Sequence, residues 1–235
     1  MNLCMDDCRK FDAILNGELL TALGCTEPIA IAYGAAKARE LLGALPERMT
    51  VECSGNLIKN ARAVVVPMSV DLRGIEAAAV LGAVGGDASR ELEVLATVTQ
   101  EDLALTKRLL AEKMCEVRLL ETSAKLHIII SCRRGGDSCM VEIMHEHNRI
   151  VHMEKNGQTV YDVPHDPTAV EGGGVDCSCL TLEKIAAYGR TADLSGVTQV
   201  LDRQIVYNSA IAQEGLTGSW GEMVGQTLLD VYGDS

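Results

Sequence analysis

The chain has 235 residues, enough for one large domain or two small ones, and 47% of them are apolar, so a sizeable core can form. Aromatics make up only 3%, which makes that core aliphatic, and a formal charge of −12 argues against a nucleic-acid or anionic-membrane surface. No apolar run approaches a membrane span, and the acidic start, MNLCMDDCRKFD, lacks the apolar stretch of a signal peptide, so the expected location is cytoplasmic.

In chain order, residues 9–23 read as a helix, with Phe11, Ile14, Leu15, Leu19 and Leu23 at helical spacing and Gly24 as its stop. Thr26 or Glu27 caps a second helix with Pro28 in its first turn, and Gly43 ends it. Residues 49–53 read as a strand, 54–61 as a turn and short helix, and 62–67 as an extended segment. Two Ala/Leu/Val-rich helices are expected over 74–85 and 88–96, and a third over 100–114. The period then changes to two, which predicts an antiparallel meander of four strands at 116–121, 125–132, 139–145 and 149–154, closed by KNGQ at 155–158. A Pro/Gly-rich connector follows, and two helices over 194–232 break near 214–222.

The expected class is α+β: a helical start, a central antiparallel β-meander with packed helices, and a helical C-terminal segment. The domain reading is a helical segment over 1–48, an α+β domain over 49–161, a linker over 162–179 and the start of a helical domain over 180–235. The pattern around Met223, Val224, Leu228 and Leu229 is still helical at the chain end, as expected either of a terminal helix that simply ends there or of a larger helical domain cut off partway.

Nine cysteines, odd in number and irregular in spacing, do not suit a disulfide scaffold in a cytoplasmic chain. Cys25 stands out. A thiol just before a helix start feels the positive end of the peptide dipoles and unpaired N–H groups, which favours thiolate. Such a thiolate can attack an electrophile or ligate a soft metal, and the same N–H groups can hold a carboxylate. Local spacing leaves open a plain half-buried turn cysteine.

The stretch ALGCTEPIAIAYGAAKARELLG resembles the N-terminal signature of the L-cysteine desulfidase family, iron–sulfur relatives of the bacterial L-serine dehydratase alpha chain. SGNLIKNA at 54–61 is similar to the second signature of that family, and LEVLATVTQEDLALTKRLL and QIVYNSAIAQEGLTGSWGEMVGQTLL follow in its order. The resemblance implies a carbon–sulfur lyase that degrades L-cysteine to pyruvate, ammonia and sulfide with a [4Fe-4S] cluster. It implies Cys25 as one of three cysteine ligands, with the other two in a C-terminal part that this chain does not contain. Around it, Ser54, Gly55, Asn56 and Asn60 are the substrate-binding candidates, while Glu27 and Lys59 are the catalytic ones. Glu27 can equally serve as a helix cap, and Lys59 as a solvated surface lysine. A carboxylate beside a cluster thiolate is expected to have its own pKa raised by like-charge repulsion.

The family carries a glycine-rich turn after this second signature, whereas this chain has Pro67, Met68, Ser69, Val70, Asp71, Leu72, Arg73 and Gly74. His145 and His147 share a strand face by period two, with His152 across the turn, but no carboxylate–histidine motif accompanies them. Cys177 and Cys179, like Cys4 and Cys8, read as structural. Two alternatives stand beside the desulfidase. One is a serine dehydratase-like deaminase of a small β-substituted amino acid. The other is a cluster-free binding protein or one half of a split enzyme. The expected partners are a small amino-acid substrate (L-cysteine or L-serine), no nucleic acid and no membrane, and either a homo-oligomer or a separate C-terminal chain.

Overall fold

The computed structural model describes residues 3–165 and 177–233. In order, α1 (Met5–Glu18), α2 (Thr26–Leu42), β1 (Arg48–Ser54), α3 (Gly55–Ala61), α4 (Gly74–Gly85), a 3-10 helix (Ala88–Glu93) and α5 (Gln100–Ala111) precede the main run of strands. Then come β2 (Cys115–Leu120), β3 (His127–Arg134), β4 (Asp137–Met144), β5 (Ile150–Lys155) and β6 (Gln158–Asp162), followed by α6 (Leu182–Thr191), α7 (Thr198–Thr217) and α8 (Val224–Tyr232). The class is α+β, as expected. The chain divides into two compact units: α1 with α6, α7 and α8 form one, and everything from α2 to β6 forms the other.

The larger unit is built on a six-stranded sheet in the order β2-β1-β3-β4-β5-β6. From β3 to β5 it is the antiparallel meander that alternation predicts, and β6 extends it by one further antiparallel strand. The first predicted meander strand does otherwise: β2 pairs parallel with β1, which also pairs antiparallel with β3. The sheet is therefore mixed, and the helices between β1 and β2 form the crossover that a parallel pair requires. Nor does KNGQ close the sheet. Asn156 and Gly157 take left-handed backbone angles, φ 51° and 74°, as a two-residue Asn-Gly hairpin demands, and lead into β6.

Helix α2 explains the small-residue run of the sequence. Ile29, Ala30, Ile31, Ala32, Ala35 and Ala36 have no exposed surface, so α2 is buried on all sides. Against the sheet, a Cβ on Gly34 would lie 2.8 Å from Ile130 Cδ1 and 3.1 Å from Ile143 Cδ1. On the side of α4, a Cβ on Gly82 would run into the carbonyl oxygen of Ala32 and lie 2.5 Å from its Cα. Alanine and glycine at these points let α2 fit between sheet and α4 at backbone distance. Val51, Ile130 and Val141 pair in register across β1, β3 and β4 to form the sheet side of this core.

In the smaller unit, α1 starts earlier than its periodicity predicts, because Cys4 caps it by accepting the Asp7 N–H at 3.4 Å. Phe11 stacks on Tyr188 at 4.8 Å, and Cys179 is buried with them, so the second cysteine of the Cys-Ser-Cys sequence serves as packing. Tyr188 donates to Asp12, and Lys184 bridges Asp7 at 2.7 Å. The connector predicted over 162–179 lies largely outside the described residues. Among the described residues, no helix is long and apolar enough to cross a membrane.

Candidate functional site

The opening of α2 is the focus of the larger unit. Cys25 is its cap residue, with neither Thr26 nor Glu27 in that place, and its side chain makes no capping bond. The thiol instead donates to Glu27 Oε2 at 3.1 Å. Asn60, on the last turn of α3, donates its amide to Glu27 Oε1 at 3.1 Å. Both carboxylate oxygens are thus engaged, one from each of two predicted neighbours. Strand β1 delivers α3 to this position, because the chain passes from sheet to helix at Ser54 without a connecting loop.

Two further segments border the opening. A Cβ on Gly24 would touch Pro67 at 3.4 Å, so the 67–73 turn lies beside the thiol. That turn is pinched shut by the isolated bridge between Val65 and Arg73, and buried Ser69 donates to the carbonyls of Val66 and Leu72 at 2.7 and 3.3 Å. Where the resembled family carries glycines, Met68 and Val70 adopt φ of 64° and 62°, the backbone region that glycine favours. The second segment is the β4–β5 turn with His147, close enough for its charge to bear on Glu27.

Electrostatics here differ from the thiolate expected at a helix mouth. Burial pushes the Cys25 thiol up, and the hydrogen bond to Glu27 and its charge push it further. Burial first, and then a carboxylate two residues along, outweigh the dipole of α2. For Glu27, burial acts upward, but hydrogen bonds from Cys25, its own backbone and Asn60, with the charge of His147, hold it below the ordinary glutamate range. The like-charge rise expected beside a cluster thiolate does not arise here, where the neighbour is a protonated thiol that donates. Burial draws His147 below the ordinary histidine range, with Glu27 opposing.

The other predicted residues are placed as follows. Ser54 is buried at 2% exposure, and its hydroxyl donates to the Lys125 carbonyl at 2.6 Å, fastening the loop before β3. Gly55 and Asn56 stand exposed at the start of α3. Lys59 is exposed and makes no hydrogen bond or ion pair with a described residue. The structure therefore joins Cys25, Glu27 and Asn60, and leaves Lys59 and Asn56 free to meet a solute. His147 and the 67–73 turn were not legible as neighbours of Cys25, because strand pairing and the α3–α4 connection bring them there. His145 and His147 do not share a strand face. Strand β4 ends at Met144, His145 is left-handed at φ 70°, and His152 is bonded to Asp162 and Glu154 at 2.8 and 3.0 Å.

An iron–sulfur cluster is held by several thiolates. This site offers one thiol, and among the described residues no group of three or more His, Cys, Asp or Glu is gathered to hold a metal. A cluster does not fit on the described residues by themselves.

A buried-helix α+β unit with a thiol–carboxylate–amide cluster at a helix mouth defines the class of structure. The comparisons with known proteins add relatives. The chain is 50% identical over 226 residues to a UPF0597 protein of Lachnoclostridium phytofermentans, a match that covers 96% of this chain and 54% of the relative. It is 38% identical to a UPF0597 protein of Treponema denticola, covering 97% of this chain and 53% of that one. A UPF0597 protein of Finegoldia magna is 41% identical, with 94% and 53% covered. The chain thus spans about half the length of the curated relatives it matches. No protein-family model and no solved structure matches it.

Proposed function

We propose that this chain carries the Cys25 side of a cytoplasmic carbon–sulfur lyase of the L-cysteine desulfidase kind. The observation that supports the reading is the joining of Cys25, Glu27 and Asn60 at the mouth of α2, from the two sequence stretches that carry the resemblance. In this reading Cys25 would be one ligand of a [4Fe-4S] cluster whose other ligands would come from polypeptide outside this chain. When bound, such a cluster supplies a Lewis-acidic iron.

The chain's own residues then have definable roles. The mouth of α2 offers few N–H groups to a substrate carboxylate, because the Glu27 N–H is bonded to its own carboxylate and Pro28 has none. Asn60 fixes the Glu27 carboxylate, and Glu27 holds the thiol proton of Cys25. When Cys25 gives up that proton, Glu27 is the acceptor at 3.1 Å. Exposed Asn56 and Lys59 are placed to contact the polar groups of a small zwitterion. The overall elimination takes the α-proton and the β-thiol of L-cysteine, leaving aminoacrylate, which water converts to pyruvate and ammonia.

The test is a chimera in which this chain replaces its matched counterpart in the Lachnoclostridium phytofermentans relative. After anaerobic loading with iron and sulfide, the expected results are cluster absorbance and sulfide release from L-cysteine, both lost in Cys25→Ala. A Cys25→Ala chimera with unchanged cluster and turnover would overturn the reading. Pyruvate from L-serine without sulfide from L-cysteine would assign the deaminase instead. The chain by itself is expected to show neither stable cluster nor turnover. The single, protonated thiol favours a second reading, a cluster-free small-molecule binding site or one half of a split enzyme. A chimera that takes up no iron but binds L-cysteine would establish that reading.

A further inference from the structure

Helices α7 and α8 bury nothing. No residue in the 20 of α7 or the 9 of α8 is buried. A helix as short as α8 is marginal in water unless an apolar face is packed. The apolar side chains are present: Ile205, Val206 and Ile211 are 61%, 62% and 70% exposed in α7, and in α8 Val224, Leu228 and Val231, at i, i+4 and i+7, form a stripe 63%, 52% and 62% exposed. Single exposed apolar side chains are ordinary on a surface, but here two successive helices expose most of their large apolar side chains. Solvent-facing helices normally carry charge on the outer side, yet residues 204–213 have none in a chain whose formal charge is −12. The two helices do contact each other, with Leu216 Cδ2 3.3 Å from where a Cβ on Gly225 would sit. That contact leaves the apolar stripe of α8 uncovered.

The relatives indicate what covers it. Each matches nearly all of this chain, and 226 matched residues of 235 place α7 inside the match with the Lachnoclostridium relative. Close to half of each relative lies outside the match. We propose that the apolar face of α7 and α8 docks that remaining portion, as a polypeptide layer with an apolar face of its own, whether joined to this chain or carried separately. The inference does not draw on the lyase chemistry.

The test is co-expression of this chain, tagged, with the unmatched portion of the Lachnoclostridium phytofermentans relative as a separate polypeptide. Tag purification and light scattering are expected to show a one-to-one complex. The double substitution Ile211→Glu with Leu228→Glu changes two exposed positions, so the chain's circular dichroism and melting temperature stay as in the wild type, while affinity falls about a hundredfold or more. Arg118→Glu, on the sheet of the other unit, leaves binding unchanged. Three results would overturn the proposal: a partner portion that stays separate or insoluble on co-expression, a double variant that binds like the wild type, or wild-type chains that pair with each other through this face and leave no place for the portion.

Discussion

The Cys25 thiol donates to Glu27 Oε2 at 3.1 Å, and burial together with this carboxylate keeps it protonated despite its place at a helix mouth. Burial raises the thiol and Glu27 raises it further. Removing the charge by Glu27→Gln is therefore expected to shift the pH midpoint of Cys25 alkylation downward, while the burial contribution keeps it above that of a free thiol. Mass spectrometry of the Cys25 peptide after iodoacetamide pulses across pH separates this thiol from the other eight. A midpoint that rises or stays fixed in Glu27→Gln would contradict the assignment.

A second relationship concerns the core. A Cβ on Gly82 would overlap the Ala32 carbonyl oxygen, so no side chain fits there, and the obstacle is backbone of a helix buried on all sides. Gly82→Ala forces α2 and α4 apart, and overpacking of this kind costs about 3 kcal/mol. The expected melting temperature falls by about 6–12 °C for a unit of this size. By contrast, Gly136→Ala, where a Cβ meets nothing within 4 Å, is expected to change stability little. Equal melting temperatures for the two variants would show that α2 and α4 do not meet so closely.

Local punctuation made much of the fold legible. Pro28 and Gly43 mark α2, and the left-handed φ of 87° at Gly43 is why glycine ends it. Strand β1, α3 and the α7–α8 break near 214–222 follow from apolar spacing in the same way. The parallel pairing of β2 was not legible, because alternation in Cys115–Leu120 says which face is buried and nothing about the neighbouring strand. The residues 88–96 read as helix by composition, but Asp87 bonds Ser89 and Glu91 takes φ 48°, which breaks the run. At the site, Cys25 and Glu27 were found by sequence. Their protonation was not, since it depends on the side-chain bond between them and on burial by segments distant in the chain.

Two groups on neighbouring strands give stability an opposite dependence on pH. His152, opposite Glu142 in the β4–β5 pairing, is raised above the ordinary histidine value first by its bond to Glu154 and then by that to Asp162. Its contribution is fully present below about pH 6.5 and is lost as pH rises through the raised folded value. Glu142 is lowered, first by its 2.7 Å bond to His127, so its contribution is present above about pH 4.3 and is lost as pH falls through the folded value. Urea unfolding is expected to show His152→Gln costing more at pH 6 than at pH 8.5. For Glu142→Gln, the cost is greater at neutral pH than at strongly acidic pH. A cost for His152→Gln that does not shrink with rising pH would contradict this linkage.

The 67–73 turn connects stability to the site. Val70 is 87% exposed and buries nothing, yet holds φ at 62°, where a β-branched side chain meets its own backbone. A left-handed non-glycine residue costs about 1–2 kcal/mol, of which glycine recovers most, less its own chain entropy. Val70→Gly is therefore expected to stabilise the larger unit by about 1 kcal/mol, raising the melting temperature by about 2–4 °C. Val70→Ala keeps a Cβ in the same backbone region and is expected to gain much less. Because a Cβ on Gly24, the residue before Cys25, would lie 3.4 Å from Pro67 of this turn, relaxing the turn is expected to reach the thiol's surroundings. Cys25 alkylation measured in Val70→Gly reads that coupling directly. A variant with unchanged melting temperature would show that this turn stores no strain, and one with wild-type alkylation would show that its strain does not reach the thiol.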